Sequence, residues 1–562
     1  MKEIIIFFLS FYFCMLSVIS YGNMFEKLCF AKLKSEDDTL IYTGFYGLMF
    51  LTLISLVTSY FIPHNFYHNI ILHGFGFFYF FSSSLKKNRT YLKYIFFISL
   101  LTISALVISK TNDDLSYYHF PFTKYLTEYK IIFGMGHLNH GYNLLSSLFF
   151  LNSTFYLPFI KLYSFHFSLL FFLIFFNYFL LKEIFSKKND LIVKYLYFFA
   201  FSYFNVSFNR IAEFGTDKGG QLLIVLLIIK LFDLVCFNLK NNRLQGILLL
   251  LPLLGYCISL KTYFLPYVLL SISVLFINNQ ISKNINFFIY SKSFLFFLTI
   301  LALTFSHHFI STGCIISPLP FTCFGDSVFW SREIEDMKSL SIWLENWAKS
   351  GAGPGYRTEN IPLYIQNFNW VGNWIERYFN GKFTDQIAIL FASYLLIVLF
   401  FKNFTYHEEK IENKKKIFYF YFILLTIFMI WFTNHPTLRY GGYSIFFLII
   451  SLPMALIFQS LIDKKLFYKK LKLFIIFVVI IFNLKNFDRI KKEFDRTDLF
   501  QFNNFPFFAI KDNQYTETKF KSGLTIYSPM GHCWSIPSPC GGVTKNLIVN
   551  KKSGYHFLQR IK

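Results

Sequence analysis

The chain has 562 residues, of which 55% are hydrophobic and 15% charged, with 80 Phe and 37 Tyr. That composition excludes a disordered chain, which needs low hydrophobicity, an ordinary soluble domain, which carries about 25% charged residues, and, with 8 Cys in this length, a disulfide scaffold. A formal net charge of +23 from 54 Lys and Arg against 31 Asp and Glu points either to nucleic acid or to basic loops on one side of a membrane.

A crossing helix needs roughly 17–25 mostly apolar residues. Windows of that kind lie near 3–21, 41–62, 67–85, 91–109, 161–181, 191–208, 220–238, 244–260, 262–278, 290–311, 385–402, 417–433, 440–462 and 471–484. The fold expected is therefore an all-α polytopic membrane protein with about fourteen transmembrane helices. The first window is read as a retained helix rather than a signal peptide: Met1-Lys2-Glu3 has no net charge, and no small-residue cleavage site follows Ser20.

Parity settles the meaning of the charge. With 22–40 placed in the cytoplasm, the cytoplasmic connections hold Lys27, Lys32 and Lys34; Lys86, Lys87, Arg89 and Lys93; Lys182, Lys187 and Lys188; Lys240 and Arg243; Lys283 and Lys292; Lys402, Lys410 and Lys414–Lys416; and Lys464, Lys465, Lys469 and Lys470. The opposite connections are poor in positive charge: 209–219 holds Arg210 and Lys218, and 434–439 holds Arg439. This is a positive-inside pattern, so the excess charge records topology and implies no nucleic-acid partner. The aromatic excess rises together with Ile, Lys and Asn, the mark of an AT-rich genome rather than of sugar binding.

Three segments remain for the outer face: 110–160, 312–384 and a small C-terminal periplasmic segment, 485–562. The domain reading is 1–90 additional N-terminal helices, 91–311 a transmembrane core with the acidic loop 110–160, 312–384 a periplasmic loop, 385–484 C-terminal helices, and 485–562 the tail. Cys314 and Cys323 fall in the second outer segment, and Cys533 and Cys540 in the third. Short-spaced pairs in an oxidising compartment read as two disulfides; four free thiols are the alternative. Neither pair has CxxC spacing, which argues against zinc or redox chemistry.

The first outer loop reads Thr111-Asn112-Asp113-Asp114-Leu115-Ser116-Tyr117-Tyr118-His119. Adjacent acids repel, so one of Asp113 and Asp114 is a candidate base or cation ligand; a helix N-terminus is the plain alternative. If a helix starts here, Asp114 and Tyr118 share a face. Asp217 opens a later helix, Lys261 stands at the turn of a helical hairpin, and Arg439 follows Asn434-His435-Pro436 on the sparsely charged side. A guanidinium binds phosphate in a fixed fork, which makes Arg439 the candidate phosphate clamp with Lys261 beside it. His119, His137 and His140 do not have a recognised metal-ligand spacing. Asp113, Asp114 and Asp217 are the hard-oxygen set for a divalent cation, if one is used. The Gly351–Arg357 stretch lacks a GK[ST] ending and reads as a loop. Trp343, Trp347, Trp370 and Trp374 read as interfacial anchors.

The acidic pair after a crossing helix, with His140-Gly141-Tyr142-Asn143, Phe368-Asn369-Trp370, Arg439-Tyr440-Gly441 and Cys533-Trp534-Ser535-Ile536-Pro537-Ser538-Pro539-Cys540, resembles the GT-C superfamily of membrane glycosyltransferases, and within it a bacterial branch of multi-pass proteins. The resemblance spans roughly residues 91–562 and departs from the simplest pattern by three additional helices before the one that leads into the acidic loop. It implies a GT-C-like fold in a bacterial inner membrane and a periplasmic site that takes a sugar from a polyprenyl-phosphate donor to a glycan or glycolipid acceptor. It also implies Asp114 or Asp113 as catalytic base, Arg439 and Lys261 on the donor phosphate, and Tyr118, His119 and Asp217 in support. No metal ligand or cofactor is assigned, a divalent cation on the acids being the one candidate. A polysaccharide polymerase or ligase using Arg332, Arg357 and Arg377 is the first alternative, and an exporter with ionisable residues at mid-membrane depth the second.

Overall fold

The computed structural model describes residues 2–30, 40–84, 89–108, 111–187, 189–208, 215–237, 240–273, 281–353, 358–401, 413–462, 464–495, 509–543 and 546–560. Of the residues singled out above, Lys32, Lys34, Lys86, Lys87, Lys188, Arg210, Arg357, Lys402 and Lys410 lie outside the described residues.

The helices run in chain order as α1 (Lys2–Phe30), α2 (Thr43–Thr58), α3 (Phe66–Tyr79), α4 (Arg89–Thr102), α5 (Phe120–Glu128), α6 (Ser147–Ser153), α7 (Phe167–Phe185), α8 (Leu191–Ser207), α9 (Thr216–Cys236) and α10 (Lys240–Leu260). They continue as α11 (Val268–Ser273), α12 (Ile281–Ile289), α13 (Lys292–Thr312), α14 (Ile334–Lys349), α15 (Ile361–Ile365), α16 (Val371–Trp374), α17 (Thr384–Phe401), α18 (Lys414–Asn434), α19 (Tyr443–Leu461) and α20 (Lys464–Phe494). Among the described residues, eight helices are long and apolar enough to cross a membrane, and Thr43–Thr58, Leu191–Ser207, Leu244–Leu260 and Thr262–Ser273 are shorter apolar helices. The chain is a helical membrane protein.

Burial ranks these helices. The apolar windows of Leu162–Phe185 and Thr216–Cys236 are 94% buried inside the chain, against 28% for Val371–Phe401 and Lys414–Asn434. The first pair forms the centre of the bundle. The second pair turns side chains such as Phe418 and Phe422 outward, where lipid is the natural solvent.

The three leading helices are packed into this bundle rather than set beside it. Gly22 of α1 and Gly47 of α2 let the two backbones touch: a Cβ on either would meet a carbonyl oxygen, of Thr43 or Val18, at 1.9 Å. The Tyr46 hydroxyl of α2 donates to the Leu249 carbonyl of α10 at 2.7 Å. Asn69 of α3 donates to the carbonyls of Ser153 and Tyr156 at 2.9 and 3.0 Å.

The lysines mark one end of the bundle. Lys292, opening α13, donates to the Leu28 carbonyl near the end of α1; Lys27 reaches Tyr79; Lys470 of α20 reaches the Phe400 carbonyl at the end of α17. The chain from 111 to 164 and the described residues of 313–353, 358–370, 509–543 and 546–560 gather at the opposite end, called here the acidic-loop end.

The tail departs from the all-helical expectation. It forms two antiparallel hairpins, β1 (Tyr515–Lys519) with β2 (Thr525–Pro529) and β3 (Leu547–Lys552) with β4 (Tyr555–Arg560). Each closes on a Gly-bearing turn, Lys521-Ser522-Gly523 and Ser553-Gly554. Both disulfides form, Cys314–Cys323 and Cys533–Cys540. The other four cysteines, Cys14, Cys29, Cys236 and Cys257, are buried in helices.

Candidate functional site

Four charged side chains from distant parts of the chain meet at the acidic-loop end. Arg439 Nη2 lies 2.5 Å from Asp114 Oδ2, and Arg439 Nε lies 3.2 Å from Asp217 Oδ2. Lys261 Nζ stands 3.8 Å from the other Asp217 oxygen. Two acids and two bases make the cluster formally neutral, with Arg439 as its hinge.

Each member is placed by an element end. After α4 the chain makes a 3-10 turn (Ile103–Val107) and then a π-helical turn, Leu115–His119, that begins directly after Asp114. Asp217 occupies the first turn of α9, where the helix dipole favours a carboxylate. Lys261 is the first residue beyond α10, its amide still donating to Cys257.

Arg439 is the most elaborately held. It sits in a second π-helical turn, Leu438–Gly442, kinked at Tyr440 and Gly441; the φ of +88° at Gly441 is one that a side chain would oppose. Its own carbonyl accepts from Gln221 Nε2 at 3.1 Å and from the Tyr263 hydroxyl at 3.0 Å. Just upstream, Trp374 Nε1 donates to the Pro436 carbonyl at 2.8 Å and Trp431 Nε1 to the Thr437 carbonyl at 3.1 Å. The Leu438 amide donates to the Tyr378 hydroxyl at 2.8 Å. Five side chains, two of them (Trp374 and Tyr378) on the Val371–Phe401 helix, thus fix residues 436–439. Buried polar groups must find partners, and here the partner is this one backbone path. On the guanidinium side, the Trp347 ring lies 6.0 Å from Arg439 Cζ, at the edge of cation–π range.

The electrostatics follow from the geometry. Burial pushes the Asp114 carboxyl up, but Arg439, His119 and Lys261 together outweigh it and hold its pKa below the usual 3.8. Burial pulls the Lys261 ammonium down; Asp217 opposes that and Arg439 adds to it, leaving its pKa below the usual 10.5. Asp114 is therefore a carboxylate at neutral pH, and a weak base while Arg439 holds it.

The structure does not bring every candidate together. Asp113, next in sequence, is exposed, and its carbonyl accepts from the Ser116 hydroxyl. Tyr118 and His119 are buried behind Asp114, their rings 4.3 Å apart. His137 is bonded to the Trp330 carbonyl at 3.1 Å, and His140 packs against Trp343, so the three histidines serve different neighbours. Among the described residues no group of three His, Cys, Asp or Glu is placed to hold a metal ion. Arg332 is tied to Asp336 at 2.7 Å and to the Gly136 carbonyl. Trp370 and Trp374, read as interfacial anchors, are instead buried, and Trp374 supports Arg439. Two cavities lie away from the cluster, one along α13 at Phe305 and Phe309, the other by Cys29 and Lys292.

Sequence reasoning missed the backbone grip of Gln221, Tyr263, Trp374, Tyr378 and Trp431, because a side chain bonding a backbone group far along the chain leaves no spacing signal. It also missed the seat of the tail. The Trp534 amide donates to the Ser116 carbonyl at 3.2 Å, two residues past Asp114.

The family profile described as "Domain of unknown function (DUF8201)" matches residues 4–448. The chain belongs to that family. The matched span takes in Asp114, Asp217, Lys261 and Arg439 and also the three leading helices, and stops before the tail. No curated protein and no solved structure matches the chain. In this DUF8201 chain the chemistry must therefore be argued from the cluster.

What the cluster can do is limited by its charges. Arg439 has donors for two carboxylates at once. An anionic ligand that draws Arg439 or Lys261 away from Asp114 or Asp217 frees a carboxylate beside itself.

Proposed function

We propose that this protein is a membrane glycosyltransferase of the GT-C type. It would cross a bacterial inner membrane about fourteen times and move a sugar from a polyprenyl-phosphate donor to a glycolipid or surface-polysaccharide acceptor on the periplasmic face. The observation that supports it is the meeting of Asp114, Asp217, Lys261 and Arg439 in one partly exposed cluster, each from a different helix end.

In this reading the donor phosphate takes Arg439 and Lys261 as its cations. Arg439 then loosens from Asp114, whose pKa rises towards the ordinary carboxylate range as its counter-charge leaves. Asp114 accepts the proton of the acceptor hydroxyl. The hydroxyl oxygen bonds to the anomeric carbon, the bond from that carbon to the lipid-phosphate oxygen breaks, and the electron pair leaves with the phosphate. One displacement inverts the anomeric centre. Arg439 and Lys261 hold the charge that develops on the leaving phosphate, the kind of preorganised stabilisation that is usually the largest contribution. Asp217 keeps both cations in place. Asp114 and Asp217 offer oxygens suited to a divalent cation, which would add to the charge held at the phosphate.

The test is genetic and chemical. The gene is deleted and surface glycolipids and polysaccharides are profiled by mass spectrometry, then the strain is complemented with wild type, Asp114→Asn or Asp113→Asn. A sugar that disappears on deletion and returns with wild type and Asp113→Asn but not with Asp114→Asn supports the reading. An unchanged glycan profile on deletion, or full rescue by Asp114→Asn, overturns it.

A further inference from the structure

The tail lies beyond the span matched by the family, yet it is built onto the loop that carries Asp114. Two seams hold it. At the first, β4 runs beside Phe133: the Phe133 amide donates to the His556 carbonyl and the Leu558 amide to the Phe133 carbonyl, each at 2.9 Å. The Phe133 and Phe557 rings stack with centroids 4.5 Å apart.

At the second, the disulfide-closed turn from 533 to 540 sits on the π-helical turn and on α5. Ser116 is held twice, its carbonyl by the Trp534 amide at 3.2 Å and its hydroxyl by His532 Nδ1 at 2.7 Å. Lys124 of α5 donates to the carbonyls of Ser535 and Ile536, each at 2.8 Å, while Glu128 accepts from the Ser538 amide at 3.1 Å. Lys124 and Glu128 also face each other at 3.2 Å. A charged pair on one helix is thus capped by three backbone groups of the turn.

This arrangement has a mechanical reading. A π-helical turn is rare and occurs mostly as a single turn, often at functional sites. The turn Leu115–His119 fixes the direction in which Asp114 leaves the backbone, and Ser116 is the residue of that turn on which the tail closes. The tail can close there only if its own turn keeps the Trp534 amide and the carbonyls of Ser535 and Ile536 aimed at one patch. Cross-linking a short loop removes the competing conformations.

We infer that the tail is a positioning element for Asp114: His532 and Trp534 fix the π-helical turn, and the Cys533–Cys540 disulfide holds the tail in the shape that does so. The inference concerns where the carboxylate stands, not what it acts on, so it does not rest on glycosyl transfer.

The test is hydrogen exchange read by mass spectrometry on the full chain in detergent, comparing wild type, His532→Ala, His532→Asn and the double variant Cys533→Ser/Cys540→Ser. Peptides covering 112–120 are expected to exchange at least tenfold faster in His532→Ala and in the double variant. Peptides from α7 and α9 are expected to keep their wild-type rates. His532→Asn, which keeps a side-chain partner for Ser116, is expected to restore protection. The inference is overturned if 112–120 exchanges at the wild-type rate in both His532→Ala and the double variant. It is equally overturned if α7 and α9 speed up by the same factor, which would make the tail a general support, or if His532→Asn fails to restore protection.

Discussion

The protein holds two ion clusters of similar composition at opposite ends of α9. At the lysine-rich end, Lys230 bonds Glu183 of α7 at 3.0 Å and Asp233 at 3.2 Å, and Asn189 donates to the same Glu183 oxygen at 2.7 Å. The three charged side chains keep 16%, 9% and 4% of their exposure. At the acidic-loop end, Arg439 keeps 37% and Asp114 29%. The first cluster is closed and mostly local, tying two neighbouring helices. The second is open to solvent at its central pair and gathers four distant segments. A closed cluster has no room for a ligand, so its loss registers as instability. An open one has partners that a ligand can replace, so its loss registers as function.

The sharpest way to break this distinction is to remove one charge from each. Asp114→Asn removes the proton acceptor that the proposed reaction uses and is expected to lower sugar transfer by about 10²–10⁴-fold, the usual span for a general base, with little change in melting midpoint. Lys230→Met takes a cation away from the buried carboxylates of Glu183 and Asp233. It is expected to cost about 3–5 kcal/mol, visible as a large fall in the detergent-solubilised melting midpoint. A reversal, with Asp114→Asn unfolding the protein and Lys230→Met silent, would erase the difference between the two ends.

A smaller effect tests how the open cluster is held. Trp374→Phe removes the indole donor from the Pro436 carbonyl and leaves that oxygen buried and unpaired, a cost of about 1–3 kcal/mol. Because residues 436–439 carry Arg439, transfer activity is expected to fall further than stability alone accounts for, whereas Trp343→Phe, on a half-exposed ring, should change neither by much.

How far the sequence led can be judged from the same residues. Every apolar window holds a helix because length and hydropathy decide that in a chain of this composition. Asp114, Asp217, Lys261 and Arg439 stood out because charge is scarce on their side, and a scarce charge at a helix end has few reasons to be there. Their pairing was not legible: Arg439 and Asp114 are 325 positions apart, and only the packing of α9, α10 and α19 brings them together. Trp374 was misread because an indole near a helix end looks the same whether it meets the interface or a carbonyl 62 residues away. The Lys230–Asp233 spacing did carry a signal, one helical turn apart within α9. The tail hairpins carried one too, in the Gly-bearing turns at Gly523 and Gly554.

The smallest expected effect concerns pH and separates the two partners of the open cluster. Asp114 has its folded pKa below the usual 3.8, so its stabilising contribution is complete above that value and is lost as pH falls through the lower, folded one. Lys261 has the same sign of slope, but in an alkaline window. Its folded pKa lies below the usual 10.5, so between those two values the unfolded chain binds the extra proton and stability rises with pH. The change of melting midpoint with pH between pH 5 and pH 8 should therefore owe nothing to Asp114, and Asp114→Asn should give a curve parallel to wild type there. On the alkaline side, towards 10.5, Lys261→Met should remove a stabilising rise that wild type shows. If the two curves stay parallel on that side as well, Lys261 carries no burial penalty, and the open end is more hydrated than its geometry implies.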